Sequence, residues 1–519
     1  MNFPRLVSVF LLVGMNLGCA AQSSGAWVHE DASGKLSYRS LPQGDRIVDF
    51  SYAGYMGGGV RLPRVPVVRT VAPSGGDDAP SIQRAIDEVS AMPLQGHFRG
   101  AVMLAAGRFQ CSSPLKITAS GVVVRGSGPG AGGSTLELTG TPHVAISISG
   151  DEHIEAAGEP AHIVQAYVPS GSMEITLDDA SGFKAGDRIR IMRKTTAAWL
   201  KFMGMDGMVR DGKPETWVGD SIMTDRTVVR RRGKTLLLDV PLTDSYDLKY
   251  LPAEGAEVVR ISESGAIEQS GVEDLSIIAP ERHVSLGEAS FGAVRLHDLR
   301  DGWLRNIYVE NTTGGVGVGS GTLRITVEDV SFRHSTAIIG AAKPADFSAD
   351  GSQALFLRCS SQGDSLFYVV TGARNQGPNV VLDSEFHGNG HIQPHQRWST
   401  GFLVDNTRVP EGGIDLMNRG EMGTGHGWTM GWGVVWNSVA KSFVIQSPPG
   451  AANWSIGNTG SEEKASMQTY GPGPKPPELP QGFIESEDKP VMPASLYRQQ
   501  LAARLGKGAL VALEKTPML

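Results

Sequence analysis

Histidine, arginine and tryptophan crowd one part of this chain. Four of its 12 histidines, His387, His391, His395 and His426, fall between positions 387 and 426. Five of its nine tryptophans, Trp398, Trp428, Trp432, Trp436 and Trp454, fall between 398 and 454. Two stretches hold most of them: His391-Ile392-Gln393-Pro394-His395-Gln396-Arg397-Trp398, and Asn418-Arg419-Gly420-Glu421-Met422-Gly423-Thr424-Gly425-His426-Gly427-Trp428. Imidazole titrates near neutral pH, so it can take or give a proton. A guanidinium grips a carboxylate through two parallel hydrogen bonds. An indole offers a broad apolar face with a polar edge, which suits a sugar ring. His426 and His395 are therefore the candidate bases, and Arg419 and Arg397 the candidates to offset a substrate carboxylate. Trp398, Trp428, His391, Asp405 and Glu421 are the candidate substrate contacts. The same residue types also pack under long loops, and that role stands beside the chemical one.

His391 and His395 have the spacing of a helical metal pair. Pro394 sits between them and disfavours a helix, and no acid has a motif-like third position. No metal site is expected from these histidines.

Such groups need a rigid scaffold to hold them. A polar residue follows an apolar one at Asp274, Asn306, Asp329, Cys359, Asp383, Asn406 and Asn437, at steps of 32, 23, 30, 24, 23 and 31 residues. Self-similarity at such a period is the mark of a solenoid. On this reading each step is one coil, and the seven residues stack in a turn ladder. The residue before each would form an outer column beginning Glu273, Arg305, Glu328, then Arg358. Stacked about 4.8 Å apart, those charges alternate in sign and attract. The two histidine-rich stretches fall on neighbouring coils, so Arg397, Arg419 and His426 are expected to face one groove, with Trp398 or Trp428 at its wall.

Toward the N-terminus, Asp77 and Asp78 precede a helical spacing of Ile82, Ala85, Ile86 and Val89. Short apolar runs closed by glycine follow: Gly100-Ala101-Val102-Met103-Leu104, Gly107-Arg108-Phe109, Leu115-Lys116-Ile117, and Val122-Val123-Val124-Arg125-Gly126-Ser127-Gly128. These read as strands. Over about residues 68 to 140 this series resembles the N-terminal signature of the pectate-lyase-like superfamily. The resemblance implies an all-β fold, a single-stranded right-handed parallel β-helix with an N-terminal capping helix, and the break in the pattern over 161–262 adds a β-rich insertion.

What the resemblance implies about chemistry is broader, because this fold hosts lyases, hydrolases and non-catalytic fibres. The leading expectation is a polysaccharide lyase acting on a uronic-acid-containing glycan by β-elimination. A base removes the proton next to the carboxylate, and a cation offsets the charge that develops. Calcium serves many lyases of this fold, and Asp364, Asp383, Glu385 and Asp405 could supply its oxygens. A glycoside hydrolase is the second reading, with Asp405 and Glu421 as its carboxyl pair. A non-catalytic glycan-binding β-helix is the third. Neither polygalacturonase nor pectate-lyase catalytic signatures are present, so no subfamily's residues carry over.

The remaining features set bounds. A net charge of −7 argues against a nucleic-acid partner. Residues 1–21 read as a signal peptide, with Arg5, the apolar run Leu6 to Val13, and Cys19-Ala20-Ala21 at the cleavage site. That run is too short to span a bilayer. A secreted or periplasmic location is expected, with a lipid anchor on Cys19 as the alternative. Cys111 and Cys359 are expected to be buried free thiols, and the chain a monomer. The expected divisions are an N-terminal segment (22–67), cap and first coils (68–160), a β-rich insertion around Trp199 and Trp217 (161–262), the main β-helix (263–460), and a Pro/Gly linker with a C-terminal amphipathic helix (461–519).

Overall fold

The structure, a computed structural model, describes residues 25–31, 35–210, 213–214, 216–283, 285, 287–335, 344–469 and 476–515. The expected signal peptide with Cys19, and Gly471 to Lys475 of the linker, lie outside the described residues.

Short strands stack on one another in parallel, each paired with the strand one coil before and one coil after. Gly271–Ile278 pairs with Trp303–Glu310, which pairs with Thr326–Arg333. Three such stacks run the length of the molecule. The first contains Val122–Arg125, Leu355–Leu357 and Val434–Trp436. The second contains Ser134–Leu138, Ser360–Gln362 and Glu385–His387. The third contains Val144–Ser149, Gly292–His297, Ala345–Ala349, Phe367–Thr371 and His391–Ile392. The interior is an apolar column that is wholly buried: Val272, Leu304, Val327, Phe356, Val381, Val404 and Val435.

The ladder at the first corner is real. Asp274, Asn306, Asp329, Asp383, Asn406 and Asn437 all have positive φ, between 45° and 60°. This is the left-handed conformation that Asn and Asp tolerate best after glycine. Side chains lock adjacent coils: Asn306 Nδ2 donates to Asp274 Oδ1 at 2.7 Å, and Asn406 Nδ2 to Asp383 Oδ1 at 2.8 Å. One member was misplaced. Arg358, not Cys359, takes the left-handed position, with φ 50°. Leu357 accordingly pairs with Glu328, so the outer column runs Glu273, Arg305, Glu328, Leu357. The run Leu355-Phe356-Leu357 is apolar throughout, and Phe356 is the one that points inward. Arg358 accepts the strained position because its guanidinium binds both oxygens of Asp329, at 2.9 and 2.8 Å. Cys359 and Cys111 are buried free thiols.

The helix Ala79–Ser90 buries Ile82, Ile86 and Val89 in the cluster that holds Val102, Leu104, Leu115 and Ile117 of the first coils. Between Ser149 and Ile267 the chain leaves the coil. It forms an antiparallel sheet of its own, from His153–Ala156 through Arg188–Lys194 and Ser221–Arg232 to Glu257–Ser264. Regular alternation of buried and exposed residues along Arg188–Lys194 gives it a separate core with Ile175, Leu236 and Val258. Trp199 and Trp217 stack 5.1 Å apart and pack against Trp398 of the coil. They dock the excursion on the β-helix.

The outer side of the first stack is covered rather than open. Trp27, Val28 and Phe50 from the N-terminal segment, with Leu496, Tyr497 and Leu501 from the helix Leu496–Leu505, cover Leu382, Trp436 and Trp454. Asp405 lies beneath them and is fully buried. Its Oδ2 accepts from Ser495 Oγ at 2.7 Å and Tyr497 N at 2.8 Å. Burial pushes its carboxyl up to about 7. An acid whose folded-state value is raised binds its proton more tightly when folded, so it stabilises most below pH 4. That contribution is lost as pH rises from about 4 through 7. Wild type is therefore expected to lose melting temperature between pH 5 and 8 more steeply than Asp405→Asn. Parallel curves would show that the carboxyl does not titrate there.

Candidate active site on the third face

Coil stacking puts His391 on the outer side of the third stack, in register with Phe367 on one side and Gly413 on the other. A Cβ at Gly413 would lie 2.6 Å from His391 Nδ1, so this glycine makes the space the ring occupies. His391 Nδ1 lies 2.7 Å from Asp415 Oδ2. A carboxylate can only accept, so the imidazole proton is on Nδ1 and the lone pair is on Nε2. Asp415 is only 4% exposed, while the His391 side chain keeps 31% exposure. Gln393 Nε2 donates to the same oxygen at 2.6 Å and fixes the carboxylate from the other side. A buried acid that orients an accessible imidazole by its rear nitrogen leaves the front nitrogen as a base.

His395 has the opposite polarity. Arg419 Nη1 lies 3.1 Å from His395 Nδ1 and donates to the His395 carbonyl at 2.9 Å. A guanidinium only donates, so a neutral His395 carries its proton on Nε2. Burial, reinforced by the Arg419 charge, holds the imidazole down to about 4. His395 is thus a neutral hydrogen-bond donor near neutral pH, beside a permanent cation. Phe367 joins the two groups. It neighbours His391 in register, its ring meets His395 edge to face at 5.5 Å, and Arg419 lies over it at 5.4 Å.

Of the residues nominated from sequence, the structure brings His395 against Arg419 and His426, and Phe367 links them to His391. The imidazoles of His395 and His426 have centroids 4.7 Å apart. Others are corrected. His426 is 7% exposed, and a Cβ on Gly423 would lie 2.0 Å from its Nε2. It is an enclosed packing group and not the accessible base. Arg397 turns to Thr424, binding its carbonyl at 2.7 Å and its Oγ1 at 2.6 Å. Trp398 and Trp428 are 2% and 3% exposed, too buried to stack on a sugar. Their indole nitrogens bind Asp244 Oδ2 and the Met203 carbonyl, so they anchor the excursion. Asp405 lies under the C-terminal helix on the first stack and forms no carboxyl pair with Glu421. Glu421 is half-buried at the start of the turn Met422–Gly425.

The four acids considered for calcium do not converge. Asp383 binds Asn406 and Arg498, Asp405 binds the C-terminal helix, Glu385 meets His387 and Arg408, and Asp364 accepts from Asn389 N. Among the described residues no group of three or more His, Cys, Asp or Glu is placed to hold a metal ion.

Sequence reasoning missed Asp415, Gln393 and Phe367. Asp415 was findable: it lies on the next coil, two residues beyond Gly413, the register partner of His391, and is an acid inside the apolar strand Gly412-Gly413-Ile414-Asp415-Leu416. A polar cleft of about 420 Å³ was also missed, lined by Arg188, Asp225 and Glu263 of the excursion and Asp350, Arg374 and Gln376 of the coil. Asp350 leads from it toward the site: a Cβ on Gly372 would lie 2.2 Å from its Oδ1, and Thr371, next to Gly372, accepts from His395 N.

No family model matches the chain, and no curated protein matches it. Among solved structures it is similar to the A-module of a mannuronan C-5 epimerase from Azotobacter vinelandii, at 12% identity and TM-score 0.35, covering 85% of this chain and 98% of that one. It is similar to a tailspike of an Acinetobacter baumannii bacteriophage in complex with capsular saccharide, at 10% identity and TM-score 0.27, covering 80% and 73%. A tailspike of an E. coli bacteriophage matches at 11% identity and TM-score 0.34, covering 86% and 68%. The chain has an all-β, right-handed parallel β-helix fold.

Proposed function

We propose that this protein is a polysaccharide-active enzyme, and within that class a lyase that cleaves a uronic-acid-containing polymer by β-elimination. The observation that carries the reading is the 2.7 Å contact between accessible His391 and buried Asp415, one coil apart, beside the Arg419–His395 pair. His391 Nε2 takes the proton from the sugar carbon next to the carboxylate. The electron pair released forms a carbon–carbon double bond as the bond to the neighbouring glycosidic oxygen breaks. Arg419 and the Nε2–H of His395 offset the charge that builds on the carboxylate meanwhile. The proton now on His391 is available to the leaving oxygen, so the base regains its starting state.

The test uses a panel of uronic-acid polysaccharides followed by the ultraviolet absorbance of an unsaturated sugar. Absorbance growing with new reducing ends is the expected result. Reducing ends without absorbance mean hydrolysis, and binding without either means a non-catalytic glycan receptor.

A further inference from the structure

The first stack carries a second cavity, of about 330 Å³, that the reaction above does not use. Three distant parts of the chain enclose it. Leu62 and Arg64 come from the N-terminal segment, Arg125 to Gly128 and Arg305 from the coils, and Lys515 from the C-terminal end.

Four cations, Arg64, Arg125, Arg305 and Lys515, line it with three carboxyl groups, Asp274, Glu328 and Asp329, and Asp329 is already taken by Arg358. Glu273 is wholly buried and binds both Arg125 and Arg305, so two guanidiniums share one carboxylate. The side chain of Arg125 is 8% exposed. Its Nη1 donates to the Val65 carbonyl at 2.9 Å, while its Nη2 is buried with no hydrogen-bond partner among the described residues. Buried donors are almost always paired, so an orphan that lines a cavity points to an absent acceptor. The next carboxyl in the column, Glu328, also lines the cavity, and burial pushes it up to about 7. It therefore supplies only part of a negative charge at neutral pH. Arg64 and Lys515 stand exposed at the rim, and neither has an ion-pair partner among the described residues. The rest of the lining mixes Asn306 and Asp274, suited to hydroxyl groups, with Leu62 and Met103, suited to a C–H face.

We propose that this cavity binds one monosaccharide-sized organic anion, held by Arg64, Arg125, Arg305 and Lys515 through its charge and by Asn306 and Asp274 through its hydroxyls. Such a ligand bridges the two chain ends and the coil, so its binding also stabilises the fold. A sugar carboxylate and a sugar phosphate present the same chemistry to these groups.

Calorimetry on the full chain with glucuronic acid, glucose 6-phosphate and neutral glucose tests the proposal and separates the two anions. At least one anion is expected to bind with Kd below about 1 mM and to raise the melting temperature. Glucose binds at least about tenfold more weakly, because it lacks the charge. Arg64→Ala and Lys515→Ala each weaken the anion about tenfold, with the ligand-free melting temperature unchanged since both are exposed. His391→Ala leaves the Kd as it was. The proposal is overturned if neither anion binds below about 10 mM, if glucose binds equally well, or if both rim variants keep the wild-type Kd. Loss of binding in His391→Ala also overturns it, because the ligand then sits on the third face.

Discussion

His391→Ala is expected to lower turnover on the true polymer by about 10³-fold, within the range that a positioned acid–base group contributes. Asp415→Asn should come close to the same loss. The isosteric amide keeps the volume and a hydrogen bond, so folding is preserved. It removes the anion that fixes the proton on His391 Nδ1 and that stabilises the imidazolium once Nε2 has taken the substrate proton. The two variants separate chemistry from architecture. His391→Ala deletes the reacting group. Asp415→Asn acts through it, so kcat should fall with KM little changed. Gly413→Ala gives an independent check on position, since its methyl would meet His391 Nδ1 at 2.6 Å and swing the ring off Asp415. A folded Asp415→Asn enzyme within about threefold of wild-type kcat would leave His391 without its base role.

How much of this was legible beforehand depends on what each residue answers to. Coil periodicity is written in the sequence because the left-handed corner admits few residue types, so Asp and Asn recur there at one per coil. The same rule misled at Cys359, where a salt bridge from Arg358 to Asp329 outweighs the preference for a short side chain. Tertiary coverage was not legible. Asp405 and Leu382 sit on adjoining strands in equivalent register, and only the return of the C-terminal helix decides that both are buried. Trp398 and Trp428 looked like sugar platforms because nothing local reveals that the excursion's Trp199 and Met203 will close over them. Asp415 lies two residues beyond Gly413, the position one coil after His391, so the pair is within reach of the coil count, while the glycines around His426 give no sign of its burial. Those glycines serve packing: Gly423 leaves room for the His426 ring, where a Cβ would lie 2.0 Å from Nε2.

Arg419→Ala is the second large effect, with kcat expected to fall about 10²- to 10³-fold, as when one charge-stabilising donor is removed. Arg419→Lys should restore only part, because an ammonium is a point charge that cannot reproduce the fork geometry holding His395 and a carboxylate together. The readout that distinguishes this role from simple packing is the titration of His395 itself. Burial is the larger cause of its low value near 4, and the Arg419 charge the smaller. Removing the charge should therefore raise that value without bringing it to the ordinary 6.5, which an NMR titration of the imidazole would follow. Stability has the matching sign. Between about 6.5 and 4 the unfolded chain takes up a proton that folded His395 refuses, so wild type loses stability as pH falls through that window. Arg419→Ala narrows the window and should lose less over the same range. If kcat is unchanged and only KM rises, Arg419 binds the polymer equally in ground and transition states. The charge that builds on the carboxylate must then be offset by other groups.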